Sequence, residues 1–482
     1  MKKLFTTIFT LFLGIALVAC AKPREGVTIF VYGQTHERGI YQRIIDSFVE
    51  ETGIKVNAEL VNADGYQSTL SASLGTKNTP DVFYVNPADI GSFANNGVIL
   101  DLIPYLEAEK NNEGFDYNQF MEETLKYYKY DTETKKRGEG DALWAIPKDT
   151  SSYPMAYNRL IVNRAVENGR WEQETKKGIW ANREGGMPLP WEADPTEEGN
   201  RQIVYTWEEF TNASKAMSFE EDNTTYFGTA LLDTWAMHSW IWAAGGDWLS
   251  ADGKKVTVDT PEFIKGFNEF IELMDYRGVS QTREQMGIKP HYDRWMSGEV
   301  GFFNVGVWDV AAFEGVSKEI LDYGLMPTPR MDREEGNTWY TYVGTLGYAV
   351  SSKSEVPEDA VKLALYMSLS EESYVRMTER QTIQLPNSKD KMQEYIDNES
   401  IKPENKQIFL EAIEGGHGRL HPTAVAYNSL WYDAFIDELS RVWKVTDSDD
   451  QGEMTPAEYV KYIQPKMQEL LDYALEDEAD GL

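Results

Sequence analysis

Val27-Thr-Ile-Phe-Val-Tyr32, followed by Ile54-Lys-Val-Asn-Ala-Glu-Leu60 and then by Asp81-Val-Phe-Tyr-Val85, decides the fold. The first run is β-branched and aromatic and is closed by Gly33, the pattern of a buried strand. Over residues 39–51 the apolar Ile40, Ile44, Ile45 and Phe48 recur at helical spacing, and Thr52-Gly53 stops the helix. Residues 54–60 read as a second strand, 66–74 as a short helix, Thr79-Pro80 as a turn and 81–85 as a third strand. This alternation predicts a parallel α/β sheet. Ligands of such sheets sit at the carboxyl ends of the strands, so the loops after Tyr32 and Val85 border a candidate site.

Upstream, Lys2 and Lys3 precede an apolar run from Leu4 to Val18 that ends at Ala19-Cys20. This is the charge–apolar–small layout of a secretory signal peptide, too short for the roughly 20 residues that span a bilayer. Leu17-Val-Ala-Cys20 resembles the bacterial lipobox, which implies a lipid on Cys20; an ordinary signal peptide is the competing reading. The expected division is a signal peptide at 1–19 and an anchor linker at 20–26. Cys20 is the sole cysteine, which excludes disulfides and cysteine metal sites. Ala21 leaves open which membrane would bear the anchor.

The 482 residues exceed what one hydrophobic core usually serves, and 41% hydrophobic with 13% aromatic content argues against disorder. The formal charge of −33 disfavours nucleic acid and anionic lipid surfaces as partners. A monomer tethered by lipid alone is the expectation.

Further along, several stretches occur in a fixed order: Thr79-Pro-Asp-Val-Phe-Tyr-Val-Asn86, Phe93-Ala-Asn-Asn-Gly-Val-Ile-Leu-Asp101, Leu143-Trp-Ala-Ile-Pro147, Met155-Ala-Tyr-Asn158 and Tyr205-Thr-Trp-Glu-Glu-Phe210. Trp240-Ile-Trp-Ala-Ala-Gly-Gly-Asp247, Trp295-Met-Ser-Gly-Glu-Val-Gly-Phe-Phe-Asn304, Gly306-Val-Trp308 and Tyr323-Gly-Leu-Met-Pro327 follow. Together they resemble the family 1 extracellular solute-binding proteins, the sugar-type binding components of ABC importers. The resemblance implies an α/β, two-lobe periplasmic-binding-protein-like (type II) fold with a ligand cleft between the lobes. It also implies closure by hinge motion and delivery of the solute to a permease. It divides the chain into 27–146 and 344–385 in one lobe, and 147–343 and 386–482 in the other. Crossings are expected near Pro147, Gly344 and Ile383-Gln-Leu-Pro386. Two departures stand out: the insertion 165–205, with Trp171, Trp180 and Trp191, and an enlarged polar hairpin at 131–141.

Aromatic rings suit the apolar faces of sugars, while sugar hydroxyls need directional polar partners. The resemblance places Trp308, Trp235 and Trp431 at the ligand; core packing is the competing role of each. Gln34 and Thr35 follow the first strand, Asn86 and Asp89 the third, and Asp149, Ser151 and Tyr153 the crossover strand. These are the polar candidates, against ordinary turn and cap roles. Trp242 reads as core. The stretch 447–458 fits an EF-hand loop through Asp447, Asp449, Gly452 and Glu458, against a plain turn in which Thr455 and Glu458 form a capping box. His417 and His421 are separated by helix-breaking residues, and zinc capture is not expected. No G-x-S-x-G, H-E-x-x-H or P-loop pattern occurs, so no catalytic residue and no cofactor are assigned. A glycosidase with paired carboxylates, a binder of iron, polyamine or peptide, and an adhesion protein remain as alternatives.

Overall fold

Among the described residues the strands gather into two large sheets and a separate two-stranded hairpin, with one apolar core on the first sheet and one on each face of the second. The computed structural model describes residues 25–480 apart from 114–116, 198, 200, 381, 423–429, 445–448 and 450, so Cys20 and the leader lie outside it. In the first sheet β1 (Val27–Tyr32) pairs in parallel with β2 (Val56–Val61) and with β3 (Val82–Val85). Between them run α1 (Thr35–Thr52) and α2 (Tyr66–Ser73). Helix α1 starts four residues before the expected one, because the Glu37 carboxylate accepts the Gln34 N–H (2.6 Å) and so caps its first turn. Gly53, at φ 73°, ends it, donating its N–H to the Val49 carbonyl.

The polar tract forms the hairpin β4 (Tyr130–Asp131) and β5 (Lys136–Arg137). From it, the Arg137 guanidinium donates to the carbonyls of Pro87 and Ala88 (2.6 and 2.9 Å), fixing the loop that leaves β3. The chain then runs through β6 (Ile146–Ser152) into β7 (Met155–Asn158). After β8 (Phe219–Glu221), β9 (Thr224–Thr229), β10 (Val300–Asn304) and β11 (Tyr323–Met326), it returns in the ten-residue β12 (Thr341–Val350) and the short β13 (Gly418–Leu420). The second sheet has the order β11-β7-β10-β9-β8. Strands β6 and β12 pair antiparallel on the first sheet, and both Pro147 and Gly344 lie in this pair; the chain enters the second sheet only at Met155.

One core surrounds β1, β3, α1 and the helix Pro357–Leu369. Another packs the second sheet against the helices Phe267 and Trp240 belong to and against the C-terminal Tyr459, Ile463 and Leu471. No helix among the described residues is long and apolar enough to cross a membrane.

The insertion 165–205 packs on this second core. Trp171 and Trp180 are buried, Trp171 donating to the Met187 carbonyl (3.0 Å) and Trp180 to Glu209 (2.7 Å). Trp191 packs on Tyr157, with their ring centroids 5.5 Å apart. Arg333 ties the segment down: it binds Asp194 (2.8 Å) and both oxygens of Glu209 (3.0 and 3.1 Å). The Asp194 side chain is fully shielded from solvent. Removing the cation leaves that carboxylate uncompensated, so Arg333→Ala should cost about 3 kcal/mol of unfolding free energy in urea titrations. A cost below about 1 kcal/mol, the value of an exposed pair, would show that the insertion is not clamped here.

Candidate functional site

The carboxyl ends of β1, β2 and β3 open on a cavity of about 510 Å³ whose far wall comes from the second sheet. Tyr32, Gln34, Asn62, Asp64, Tyr84 and Asn86 reach it from the first sheet. Trp235 stands at the start of the helix Asp233–Ala243 after β9, and Trp308 at the start of the helix Val307–Glu314 after β10. Strands β6 and β12 supply the floor with Lys148, Asp149, Ser151, Tyr342, Gly344 and Thr345. A larger groove of about 1130 Å³ lies at the opposite ends of β1 and β2, lined by residues such as Thr28, Lys55 and Pro80, away from these aromatic rings.

The aromatic wall is a connected stack. Tyr153 lies parallel to Trp308 (centroids 5.9 Å, 14°) and against Trp235 (5.7 Å). Trp235 meets Tyr342 edge-on at 5.0 Å. Tyr153 is buried and backs the indoles, whereas Trp235 is 38% exposed. Aromatic packing of this kind fixes ring orientation before any ligand arrives.

The floor is charged. Lys148 Nζ lies 2.5 Å from Asp149 Oδ2, with the two side chains 7% and 15% exposed. The ammonium sits over the rings of Tyr41 and Tyr84 at 5.8 and 5.9 Å. Burial pushes the Lys148 ammonium down, but Asp149, Tyr41 and Glu37 outweigh it, and the group is held well above its ordinary value. Asp149 Oδ1 also accepts the Leu346 N–H (3.1 Å).

Six of the residues singled out from the sequence border the cavity: Gln34, Asn86, Asp149, Ser151, Trp235 and Trp308. Tyr153 supports it from behind. Thr35 is exposed at the start of α1, its hydroxyl accepting from Arg38 (3.1 Å). Asp89 sits behind the β3 exit loop; burial raises its carboxyl, opposed by Arg137 and Asn86. Trp431 is in the second core, fully buried, because the helix Leu430–Asp437 turns Trp431, Tyr432, Ala434 and Phe435 inward together. Its neighbour Tyr432 hydrogen-bonds His238 Nε2 (3.1 Å) in a buried cluster with His421. Lys148, Tyr32, Tyr84, Tyr342, Asn62 and Asp64 are among the lining residues that the sequence reading missed. Tyr32, the last residue of a recognised strand, carried the one usable signal.

At the calcium candidate, Asp447 lies outside the described residues. The Glu458 carboxylate instead accepts the Thr455 N–H (3.0 Å) and hydroxyl (2.8 Å), the capping box at the start of the last helix. Among the described residues, no group of three or more His, Cys, Asp or Glu side chains is placed to hold a metal ion. His417 stacks on Trp339, apart from His421.

Comparison with known proteins adds to this geometry. An erythritol/L-threitol-binding protein of Mycolicibacterium smegmatis is 30% identical over 146 residues, 30% of this chain; the match spans about a third of that relative, 31% of its length. An ABC substrate-binding protein from Listeria monocytogenes, solved with cycloalternan, superposes with a TM-score of 0.69 at 17% identity, over 92% of this chain and 98% of that one. A maltose-bound protein of T. maritima superposes with a TM-score of 0.64 at 16% identity, over 92% and 99%. These superpositions show the two-lobe fold of the maltose-binding type. Residues 43–406, which run through both sheets and the cavity between them, match the bacterial extracellular solute-binding proteins, and the chain belongs to that family.

Proposed function

We propose that this protein is the solute-capturing component of an ABC importer and that its solute is a carbohydrate, taken up between the lobes and passed to the permease. The aromatic wall of Trp235 and Trp308 over a floor of hydroxyls, Lys148 and Asp149 carries the reading. Indole faces suit the C–H faces of sugar rings, and the floor supplies the directed donors and acceptors that hydroxyls require. A cavity of about 510 Å³ fits a ligand of a few rings, an oligosaccharide. Solved relatives with cycloalternan and maltose, and the erythritol/threitol-binding relative, support a polyhydroxylated ligand.

The two lobes in this reading are 27–146 with 344–385 and 147–343 with 386–482, the crossing strands β6, β12 and β13 staying paired on the first sheet, and they close by hinge motion on the solute. The body stands outside the cytoplasm as a monomer, on a lipid attached at Cys20, and catalyses no reaction on what it binds. Release of a Cys20→Ser protein into the medium would support the lipid; retention of that protein on the membrane would count against it.

A thermal-shift screen tests the function. Erythritol, maltose, maltotriose and cycloalternan are compared with a peptide mixture, spermidine and ferric citrate. At 100 times Kd a bound sugar adds about 2.7 kcal/mol of stability. The sugar should also be recovered chemically unchanged after incubation. Stabilisation by peptide, spermidine or ferric citrate with none by sugars would overturn the carbohydrate reading, and turnover of the sugar would make the protein an enzyme.

A further inference from the structure

Along β6, neighbouring side chains should point to opposite faces. Lys148 and Asp149 are consecutive, yet both border the cavity and bond to each other. The pairing with β12 explains how: Leu346 faces Asp149 and Gly347 faces Pro147, so Lys148 has no partner across the pair. This is a β-bulge, the device by which a strand re-aims one side chain. Its backbone is held from behind. Buried Asn387 donates to the carbonyls of Lys148 (2.7 Å) and Pro147 (3.2 Å), and the Ser368 hydroxyl donates to Pro147 (2.6 Å).

We propose that this bulge sets the charge class of the ligand: by placing a self-neutralised Lys148–Asp149 ion pair on the cavity floor, it admits uncharged polyhydroxylated ligands and rejects rings that carry a carboxylate or an ammonium. The proposal rests on the carbohydrate reading above and deepens it. Among the described residues, two other charged side chains border the cavity. Glu37 sits on the first turn of α1, where its charge meets the positive end of the helix and the Gln34 N–H. Asp64 is exposed at the rim, where solvent and salt screen it. The floor therefore offers a hydroxyl both an ammonium to accept from and a carboxylate to donate to. A ligand carboxylate attracted to Lys148 would be forced against Asp149, and a ligand ammonium attracted to Asp149 would be forced against Lys148.

The test titrates the whole protein with di- and trisaccharides of three charge classes: neutral maltose, cellobiose and maltotriose; di- and trigalacturonate; and di- and triglucosamine. Wild type is expected to prefer a neutral member at least about tenfold over both charged classes. Asp149→Asn, which keeps the shape and frees the cation, should shift the ratio about tenfold toward the galacturonates. Lys148→Met should shift it about as far toward the glucosamines, and the double variant should return to the neutral preference. If Lys148→Met does not fold, Asp149→Asn decides alone, since it leaves the packed ammonium in place. A wild type that prefers a charged class, or single variants whose ratios stay at the wild-type value, overturn the proposal while the carbohydrate reading stands. Binding of no carbohydrate of any class, with stabilisation by spermidine or peptide, overturns both.

Discussion

Trp308→Ala is expected to abolish the ligand-induced thermal shift, with a loss of affinity of about 100-fold. The indole borders the cavity directly, and its orientation is set by the parallel Tyr153 ring and by Trp235 6.0 Å away. Removing a buried aromatic anchor costs about 2–4 kcal/mol of binding, and each 1.4 kcal/mol is a factor of ten. A second variant separates contact from position. Gly306 has φ −89°, a conformation open to any residue, but a Cβ there would overlap the Trp308 indole. Gly306→Ala should therefore move the ring rather than remove it, weakening binding by about tenfold while far-UV circular dichroism stays unchanged. If calorimetry finds both variants binding with wild-type affinity, Trp308 is not a ligand contact and the aromatic wall is only packing.

How far such a site can be read from sequence depends on whether the signal is local. The strand Val27–Tyr32 was legible to the residue, since its burial follows from composition and its end from Gly33. With β1 and β3 in place, the strand-end rule pointed to Gln34 and Asn86, while Trp308 came from the family resemblance; all three border the cavity. The start of α1 was harder, because a glutamate three residues after Gln34 outweighs the glycine inside the helix.

Lys148 was illegible for a different reason. A lysine in a strand reads as solvent-facing, and only the one-residue register shift against β12 turns it inward. Trp431, which the resemblance placed at the ligand, lies in the second core for a reason of tertiary packing. Adjacent residues on a helix differ by about 100°, and the packing of the C-terminal helices, not the local pattern, put Tyr432 next to His238 and buried Trp431 in the core. The insertion is similar: nothing local to Trp171 or Trp180 announces that their partners are Met187 and Glu209.

Asp309→Asn should change the pH dependence of stability by about 4 kcal/mol between pH 4 and pH 8. Asp309 follows Trp308, and its carboxylate accepts the Gly306 N–H (3.2 Å). Burial raises its pKa from 3.8 to about 7, against the lowering effect of Gly306 and Tyr292, with Glu37 adding to the rise. A carboxyl whose folded pKa is raised stabilises the fold fully below its unfolded pKa, and that contribution is lost as pH rises through about 7. The shift of about three units corresponds to about 4 kcal/mol. His421 acts in the opposite sense. Burial lowers its pKa from 6.5 to about 4, so the neutral ring suits the fold above pH 6.5 and stability is lost as pH falls toward 4, by about 3 kcal/mol. Buried His238, also lowered, tilts the same way. Between pH 4 and 6.5 these slopes oppose, so the wild-type profile is flatter than either group alone would make it. The asparagine copies the shape of the protonated acid, so Asp309→Asn should gain stability at pH 8 and show a profile that rises steadily from pH 4 to 6.5. His421→Asn should do the reverse, with stability falling from pH 4 to 8. Urea unfolding followed by tryptophan fluorescence at pH 4.5, 6, 7 and 8 measures both. Profiles for the two variants that run parallel to wild type would mean that neither group changes protonation on unfolding, and the electrostatic account of the wall behind Trp308 would fail.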